Sequence, residues 1–237
     1  MKLTVILPTY NEAGNIVKLI KAILKALKPL GLQTQVIVVD DNSPDGTAAI
    51  VKPLTKKLAV KLFVRKKRGL ATAILYGLQR THADIFVIMD TDFNHQPKDI
   101  PRLLTPIIKD KADLVIGSRY VAGGGMHASE AGTIQFLGSK WGNRLVNRII
   151  LGLPVHESLS GFIAFKKEIL KSTDLTSIFL GYGEYCIRLL YRAHQAGFRL
   201  AEVPVVYGQR RYGQSKSRLL KMMIDYLITA VKLRLNL

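Results

Sequence analysis

The sequence predicts an α/β fold in which a mostly parallel central sheet is covered by helices on both faces. Short continuous runs of Val, Ile and Leu, typical of buried parallel strands, alternate with segments of helical apolar spacing. The 237 residues are enough for one sizeable domain, and an apolar content of 48% is enough for a hydrophobic core. Ligands of such sheets bind beyond the carboxyl ends of the strands, so the loops there are the candidate site.

The first half of the chain carries strand and helix signals in alternation. The predicted strands are Leu3–Leu7, Gln35–Val39, Val60–Val64, Ile85–Met89 and Leu114–Gly117. The predicted helices are Glu12–Leu27, a segment from about Asp45, Ala71–Arg80 and Ile100–Ile108.

The pattern changes after Ser118, where a stretch rich in glycine, Tyr120–Gly132, predicts a mobile loop. The elements expected after it are a helix Thr133–Leu151, a strand Ser160–Phe165, a helix from about Tyr182 to Ala196, a strand Leu200–Val206 and a final helix Ser217–Leu235. No internal repeat or low-complexity linker divides the chain. We therefore expect residues 1–216 to form the catalytic domain, with residues 217–237 as an amphipathic helix of the same unit.

Three absences in the sequence bear on location. Met1 leads directly into a strand pattern, so no signal peptide is expected. No uncharged apolar run is long enough to predict a membrane span. The single cysteine, Cys186, excludes an internal disulfide and fits a reducing compartment.

The formal net charge of +18 favours polyanionic partners, namely nucleic acid, anionic lipid or phosphorylated substrates. The C-terminal part, from Cys186 to Leu237, carries only two acids, Glu202 and Asp225, among many basic residues. A nucleic-acid-binding module would interleave basic residues with exposed aromatic residues. The aromatic residues here mostly lie within apolar strand or helix patterns, so we expect no nucleic-acid partner.

Three polar clusters each follow a predicted buried strand. They are Pro8-Thr9-Tyr10-Asn11-Glu12, Asp40-Asp41-Asn42-Ser43-Pro44-Asp45-Gly46-Thr47 and Asp90-Thr91-Asp92-Phe93-Asn94-His95. Asp90 and Asp92 are two residues apart, so on an extended chain both carboxylates point to the same side and can share one cation. Hard oxygen ligands suit Mg²⁺ or Mn²⁺, which commonly hold substrate phosphates as well. Two alternatives stay open: Asp45 as a helix cap or turn residue, and His95 as an ordinary loop residue.

Together with three later segments, these clusters resemble glycosyltransferase family 2, in particular its polyprenyl- or dolichyl-phosphate mannose synthases. The later segments are Gly117-Ser118-Arg119-Tyr120, Ser160-Gly161-Phe162 and Arg211-Tyr212-Gly213-Gln214-Ser215-Lys216. The resemblance spans nearly the whole chain. It implies a GT-A fold and inverting, metal-dependent transfer of mannose from GDP-mannose to a polyprenyl (dolichyl) phosphate.

The same resemblance implies a peripheral enzyme at the cytoplasmic face of a membrane, and it admits a small membrane protein as a further subunit. One alternative keeps the fold but uses UDP-glucose as donor or a different acceptor. Another is a nucleotide-binding subunit without catalytic activity. The charge alone would also allow a basic nucleic-acid- or nucleotide-binding module.

The resemblance also implies residue roles. For the donor, the residues implied are Pro8, Tyr10, Glu12, Asp40, Asn42, Asp45, Gly69, Asp90 and Arg210. For the metal, they are Asp90, Asp92 and Asn94. For catalysis, they are Asp92, Arg119, Arg211 and Lys216. For the acceptor phosphate, they are Ser139, Arg119 and Lys216. The chain departs from the family pattern at Asn94, where relatives often have Gln, at Gln135, where Arg is common, and at Glu157, where Asp is common.

Two helices are candidates for contact with a membrane surface. Ser217–Leu237 places apolar residues near one face with basic residues around it, which is typical of a helix lying in the interfacial plane. The same pattern is compatible with a helix docked on the core. Thr133–Leu151, with Trp141 among basic residues, is the second candidate.

Overall fold

The computed structural model describes residues 1–126, 133–208 and 219–236, leaving out the side chains of residues 133–137 and 219–223. Its strands are β1 Lys2–Thr9, β2 Gln33–Asp40, β3 Val60–Val64, β4 Ile85–Ile88, β5 Leu114–Ser118, β6 Gly125–Met126, β7 Ile163–Lys166, β8 Leu200–Pro204 and β9 Val206–Tyr207. Seven of them form one sheet with the order β3-β2-β1-β4-β7-β5-β8, and β6 pairs with β9. Within the seven-stranded sheet only β7 runs antiparallel to its neighbours.

Helices cover this sheet. The α-helices are α1 Ile16–Leu27, α2 Thr47–Val51, α3 Leu70–Leu78, α4 Ile100–Ile108, α5 Thr133–Leu145, α6 Glu168–Lys171, α7 Leu175–Ile178, α8 Tyr185–Gln195 and α9 Leu219–Leu235. Short 3₁₀ helices span Lys28–Leu30, Lys52–Lys56 and Pro97–Asp99, and α5 continues as a π-helix, Val146–Leu151. The predicted α/β class with a mostly parallel sheet is confirmed. The four-residue helices α6 and α7 were not predicted, because they are too short to show a helical period.

Three late elements differ in detail from the prediction. The strand expected at Leu200–Val206 divides into β8 and β9, and the Gly-rich segment contains the short strand β6. The strand expected at Ser160–Phe165 begins only at Ile163. Of the predicted final helix, Ser217 lies outside the described residues.

Alternating side chains of the strands build two hydrophobic layers. In β2, Val36 and Val38 pack into the layer formed with α1 and α4, whereas Ile37 and Val39 pack into the layer formed with α3, α8 and α9. Successive residues of a strand point to opposite faces, which is why continuous apolar runs are needed in a sheet covered on both sides.

The strand order creates a switch point beside β1. The chain proceeds from β1 to β2 and β3 on one side and then returns to place β4 on the other side of β1. Thr9 pairs with Asp40, and Ile6 pairs with Ile88, so the loops that follow these three strands leave the same edge of the sheet. Open α/β sheets bind ligands in the crevice at such a point.

The antiparallel strand β7 brings a fourth segment to that edge. Ile163, its first residue, pairs with Ile88 of β4 and with Ile116 of β5. Because β7 runs opposite to both neighbours, the chain enters it at the edge where β4 and β5 end. Ser160-Gly161-Phe162 therefore lies beside the loop that carries Asp90.

In the part of the chain that the structure describes, none of the helices combines the length and the apolar character that a membrane span needs.

Candidate active site

The loops after β1 and β2 are tied together by hydrogen bonds. The Asp45 carboxylate accepts from the backbone N–H of Ala13 (3.0 Å) and from both the N–H (3.0 Å) and the hydroxyl (2.6 Å) of Thr47. Thr47 Oγ1 in turn accepts from the N–H of Glu12 (3.0 Å). Burial raises the pKa of Asp45, but these hydrogen bonds outweigh it and leave the pKa below its usual value. Asp45 thus holds a turn, as one interpretation of the sequence suggested, and fixes Glu12.

Asp40 and Asp41, which are adjacent in sequence, have different surroundings. Asp40 is fully buried, and its carboxylate accepts from Thr9 Oγ1 (3.1 Å) and from the N–H (2.9 Å) and hydroxyl (2.6 Å) of Ser43. Pro8, also buried, pairs with Val39 one residue before it. Asp40 therefore shapes the loop after β2, and a direct contact of Asp40 with a donor stays a prediction.

Asp41 anchors the loop that follows β3. Its carboxylate accepts from Arg65 Nε (2.7 Å) and from the N–H of Gly69 (2.7 Å), and Arg65 Nη2 also donates to the carbonyl of Gly69 (2.9 Å). The Arg65–Asp41 pair is buried on both sides. Gly69, predicted at the donor site, is held at the start of α3 by these bonds.

That anchored loop presents Arg68 to the aromatic ring of Tyr10. The Arg68 guanidinium carbon lies 3.6 Å from the Tyr10 ring centroid, a cation–π contact between the loops after β3 and β1. Tyr10 is half-buried, and the nearby Asn42 is exposed. A flat aromatic residue beside a cation suits a nucleobase, so the geometry is compatible with the predicted base pocket.

All three loops at the switch point contain a residue with a left-handed backbone. Asn11 (φ 61°), Asn42 (φ 55°) and Phe93 (φ 68°) follow β1, β2 and β4 respectively. Asparagine tolerates this region, but a bulky aromatic residue seldom adopts it. Such strain clusters at functional sites, where the surrounding structure holds it in place.

Asp90 and Asp92 stand directly beyond β4. The Asp90 side chain is 41% exposed. Asp92 Oδ1 accepts from the N–H of Asn94 (3.0 Å), and Asp92 Oδ2 accepts from Asn94 Nδ2 (3.1 Å). Asn94 therefore orients the Asp92 carboxylate in this structure, and its predicted role as a direct ligand stays a prediction.

Asp90 and Asp92 fit a divalent cation of the Mg²⁺ type. The described residues contain no cluster of three or more acidic, His or Cys side chains suited to a metal. Mg²⁺ is commonly held by one or two carboxylates, with substrate phosphates and water completing its shell. Asp90 and Asp92 match that arrangement, in which the substrate brings the remaining ligands.

His95 packs against the loop that carries Asp90. Its Nδ1 accepts a hydrogen bond from the backbone N–H of Asp90 (3.1 Å), and its ring stacks on Phe162 and meets the edge of Tyr207. Burial lowers the pKa of His95 to about 4, and the Asp92 charge only partly opposes this shift. His95 is therefore a neutral, buried positioning group and not the ordinary loop residue that the sequence left as an alternative.

Gly161 leaves room beside Asp90. A Cβ atom at this position would lie 3.4 Å from Asp90 Oδ1 and 3.2 Å from the Tyr185 hydroxyl. The neighbouring Ser160 hydroxyl is hydrogen-bonded to the Tyr207 hydroxyl (2.9 Å). The Ser-Gly-Phe segment thus packs directly against the metal-binding candidate, which explains its place in the resemblance.

Arg119 forms a buried ion pair with Glu157. The Glu157 carboxylate accepts from the backbone N–H (2.6 Å) and Nε (2.7 Å) of Arg119 and contacts its Nη2. The Glu157 side chain is fully buried and that of Arg119 is 15% exposed. Burial lowers the pKa of the guanidinium, but the Glu157 charge reverses this and raises it above the usual value. Arg119 therefore stays charged.

Two aromatic residues complete the surroundings of Arg119. Its guanidinium lies 4.4 Å from the ring centroid of Tyr207 and 5.1 Å from that of Tyr120. The Tyr120 hydroxyl is hydrogen-bonded to Ser139 Oγ (2.6 Å) on α5. Two of the residues predicted to bind the acceptor, Arg119 and Ser139, are thus linked through Tyr120.

The remaining predicted residues, Arg210, Arg211 and Lys216, lie outside the described residues. Gly208, the last residue before them, donates its N–H to the carbonyl of Asn94 (2.9 Å). Gly208, the last described residue before position 219, therefore lies beside the loop that carries Asp92.

Sequence reasoning assigned no role to several residues of the site, namely Glu157, Tyr207, Arg68 and Gly161. Gly161 lies within a segment that carried the resemblance, and Glu157 is a position where the chain departs from the family pattern; these were the available signals. Nothing in the sequence links Arg68 to Tyr10 or Tyr207 to Arg119, since these contacts join distant loops.

A model of the glycosyl transferase family 2 matches residues 4–173, which is well over half of the chain. The chain belongs to this family. The matched region begins within β1 and extends beyond β7, so it contains all the loops at the switch point.

Three curated relatives of this family 2 glycosyltransferase share 35–37% of aligned residues with it. A dolichol-phosphate mannosyltransferase of Pyrococcus furiosus is 37% identical over 96% of the chain, which spans only 62% of that relative's length. A polyprenol monophosphomannose synthase of Mycolicibacterium smegmatis is 35% identical over 90% of the chain and 79% of the relative. An undecaprenyl-phosphate mannosyltransferase of Micrococcus luteus is 35% identical over 91% of the chain and 87% of the relative.

Solved structures share the fold of the glycosyltransferase at lower identity. Glucosyl-3-phosphoglycerate synthase from Mycobacterium tuberculosis, in complex with Mn²⁺, UDP and phosphoglyceric acid, superposes with a TM-score of 0.72 at 21% identity, covering 98% of this chain and 78% of that one. Mannosyl-3-phosphoglycerate synthase from Rubrobacter xylanophilus superposes with a TM-score of 0.67 at 20% identity, covering 100% and 74%. These similarities establish the fold.

Proposed function

We propose that this chain transfers mannose, with inversion, from GDP-mannose to a polyprenyl (dolichyl) phosphate, giving polyprenyl-phosphate mannose and GDP. The observation that carries the proposal is the agreement of three relatives, each named for mannose transfer to a polyprenyl-type lipid, across 90–96% of the chain. The candidate site supports it with two carboxylates at a switch point, a Tyr–Arg pair suited to a base, and a buried Arg linked to Ser139 through Tyr120.

The donor diphosphate would bind at the ends of β1 and β4. Asp90 and Asp92 would hold Mg²⁺ or Mn²⁺, and Asn94 keeps the Asp92 carboxylate turned in one direction. When bound, the cation supplies a positive charge that neutralises the leaving diphosphate. Tyr10 and Arg68 would contact the base, while Glu12 and Asp45 fix the loops around the ribose.

The acceptor would approach from the side of α5. A polyprenyl phosphate is already anionic near neutral pH, so its oxygen attacks without a strong general base. His95 is not placed to act as such a base, because its Nδ1 accepts from the Asp90 N–H and its ring is buried. Arg119 and Ser139 would meet the acceptor phosphate, and preorganised charge of this kind acts most strongly in a partly desolvated site.

The proposal also places the protein peripherally at the cytoplasmic face of a membrane, with a small membrane subunit as a further partner. Its support is the apolar patch, defined here as the exposed apolar residues of α5, the π-helix and α9. These residues are Trp141, Leu145, Ile149, Ile224, Leu227, Ile228, Val231 and Leu235. Exposed basic residues flank the patch, namely Arg144, Arg148, Lys232 and Arg234. Exposed apolar residues among cations are typical of helices that lie on anionic bilayers.

Charged substitutions within the apolar patch are expected to release the protein from membranes. We expect Leu227→Glu/Val231→Glu to reduce flotation with 3:1 phosphatidylcholine:phosphatidylglycerol vesicles about tenfold or more, because apolar burial and attraction to anionic lipid are both weakened. Ile50→Glu is the matched control, since Ile50 is also an exposed apolar residue but lies on α2. Equal flotation of the patch variant and the control would contradict the membrane assignment.

A transfer assay with a panel of nucleotide sugars tests the proposed reaction. Radiolabelled GDP-mannose, UDP-glucose and UDP-galactose are offered with polyprenyl phosphate in vesicles, with and without Mg²⁺ or Mn²⁺. We expect label in the lipid fraction only from GDP-mannose and only with the cation. Transfer from UDP-glucose would establish the alternative donor, and an absence of lipid product with every donor would refute the proposal.

A further inference from the structure

The C-terminal helix α9 has two apolar faces. One face bears Ile224, Leu227 and Val231 of the apolar patch. The other packs on the core through Ala230 and Leu233, which are buried among residues of α8 and the sheet. Tyr226 is four residues before Ala230, so it belongs to the docked face, one turn nearer the start of the helix.

Tyr226 reaches the turn that precedes α8. Its hydroxyl lies so close to Gly183 that a Cβ atom at position 183 would overlap it, and the ring carbon Cζ would lie 3.2 Å from that Cβ. The turn, Gly181–Glu184, is closed by the Glu184 carboxylate, which accepts from the N–H of Tyr182 (2.7 Å). A Cβ atom at position 183 would therefore displace the Tyr226 hydroxyl.

The turn leads directly to the Asp90 side of the site. Tyr185, two residues after Gly183, is buried, and its hydroxyl and the Asp90 carboxylate both border Gly161. Burial raises the pKa of Tyr226, and further contributions to that rise come, in decreasing order, from Cys186, Glu184, Tyr182 and Asp90. The docked face of α9 is thus connected to the neighbourhood of the candidate metal ligand through the turn, the buried Tyr185 and the space around Gly161.

We infer that Tyr226 is a positioning residue that holds the Gly181–Glu184 turn and, through Tyr185, the wall of the site next to Asp90. On this view α9 does more than contact lipid, because the same helix that exposes the apolar patch also sets the geometry of the reacting end of the pocket. The inference rests on the proposed function for its catalytic consequence, but the contact itself is independent of the substrate.

A double-substitution cycle tests this contact. Gly183→Ala introduces the colliding atom, Tyr226→Phe removes only the hydroxyl, and the double variant combines both changes. We expect Gly183→Ala to lower kcat about tenfold or more, with KM for the nucleotide sugar within about twofold, because small displacements near reacting groups are costly. Tyr226→Phe should stay within about threefold of wild type, and the double variant should regain most of the activity lost in Gly183→Ala.

Tyr191→Phe is the matched control. It deletes the same atom from a buried tyrosine of α8, away from the turn, and should leave kcat unchanged. Tyr226→Leu removes the ring contact without adding any atom and should also lower kcat, which keeps the test decisive if Gly183→Ala folds poorly. If Gly183→Ala folds, a wild-type kcat in that variant would overturn the inference. If it does not fold, a wild-type kcat in Tyr226→Leu would do so. A double variant whose kcat is no higher than that of folded Gly183→Ala would also overturn it.

Hydrogen exchange on the ligand-free protein separates this inference from the proposed function. Gly183→Ala and Tyr226→Leu should speed exchange in peptides covering residues 181–186, and Tyr226→Phe should reverse the effect of Gly183→Ala. This pattern is measurable even if wild-type protein transfers no sugar, an outcome that would refute only the reaction. Unchanged exchange at 181–186 in both Gly183→Ala and Tyr226→Leu would refute the positioning role.

Discussion

Replacing Asp92 with asparagine is expected to reduce mannose transfer about 10²- to 10³-fold, the usual loss when one group that stabilises developing charge is removed. The substitution preserves size, and an amide oxygen can still accept from Asn94, so the loop should keep its shape. What is lost is the negative charge that, on the proposed function, holds the cation opposite the donor diphosphate. Initial rates at several Mn²⁺ concentrations measure the effect, and excess cation should not restore the wild-type rate.

Asp99→Asn is the matched control for this substitution. Asp99 is a buried acid directly before α4, seven residues after Asp92, and is paired with Arg102 at 3.7 Å. We expect it to retain nearly full activity and the normal dependence on the cation. An Asp92→Asn protein with wild-type rates would show that the metal assignment is wrong.

The substitution Glu157→Gln is expected to have the largest effect on stability. It leaves the buried, charged Arg119 without its counterion, and breaking a buried ion pair from one side typically costs about 3–5 kcal/mol. The glutamine oxygen can still accept from the Arg119 N–H, but its NH₂ group then replaces the oxygen that accepts from the guanidinium. The loss therefore reports the charge together with the guanidinium hydrogen bonds. Urea unfolding measures the change in the free energy of unfolding.

A second variant separates the structural and catalytic roles of Arg119. In Arg119→Met/Glu157→Gln no buried charge is left unpaired, so the free energy of unfolding should return to within about 1–2 kcal/mol of wild type. The rate of sugar transfer should stay low, because the Arg119 guanidinium, which is expected to meet the acceptor phosphate, is gone. A stable double variant with full activity would contradict the role assigned to Arg119.

Asp84→Asn provides the scale for the stability measurement. Asp84 pairs with Lys167 at 2.8 Å, the two side chains are 40% and 42% exposed, and such exposed pairs typically contribute little to the free energy of unfolding. A loss in Asp84→Asn as large as that in Glu157→Gln would show that burial is not the reason for the expected difference.

The sequence by itself determined the α/β class, the positions of most strands and helices, and the carboxylates that follow β4. The class and the elements depend on short-range patterns, since strand and helix periods extend over few residues. That both carboxylates point to one side stays a prediction, because β4 ends at Ile88 and Asp90 and Asp92 lie in the loop after it. The family segments were equally visible, because each is contiguous in the chain. They also pointed to family 2, which the comparisons confirm.

Only the tertiary structure decided which contacts residues of the same type make. Asp40 and Asp41 are neighbours in sequence, yet one shapes its own loop and the other anchors the loop after β3. Arg119 and Glu157 are 38 residues apart and meet because the segment containing Glu157 returns to the end of β5 shortly before β7. The two apolar faces of α9 became distinguishable only when the rest of the chain covered one of them. Such contacts depend on which strands become neighbours, and no local pattern encodes that choice.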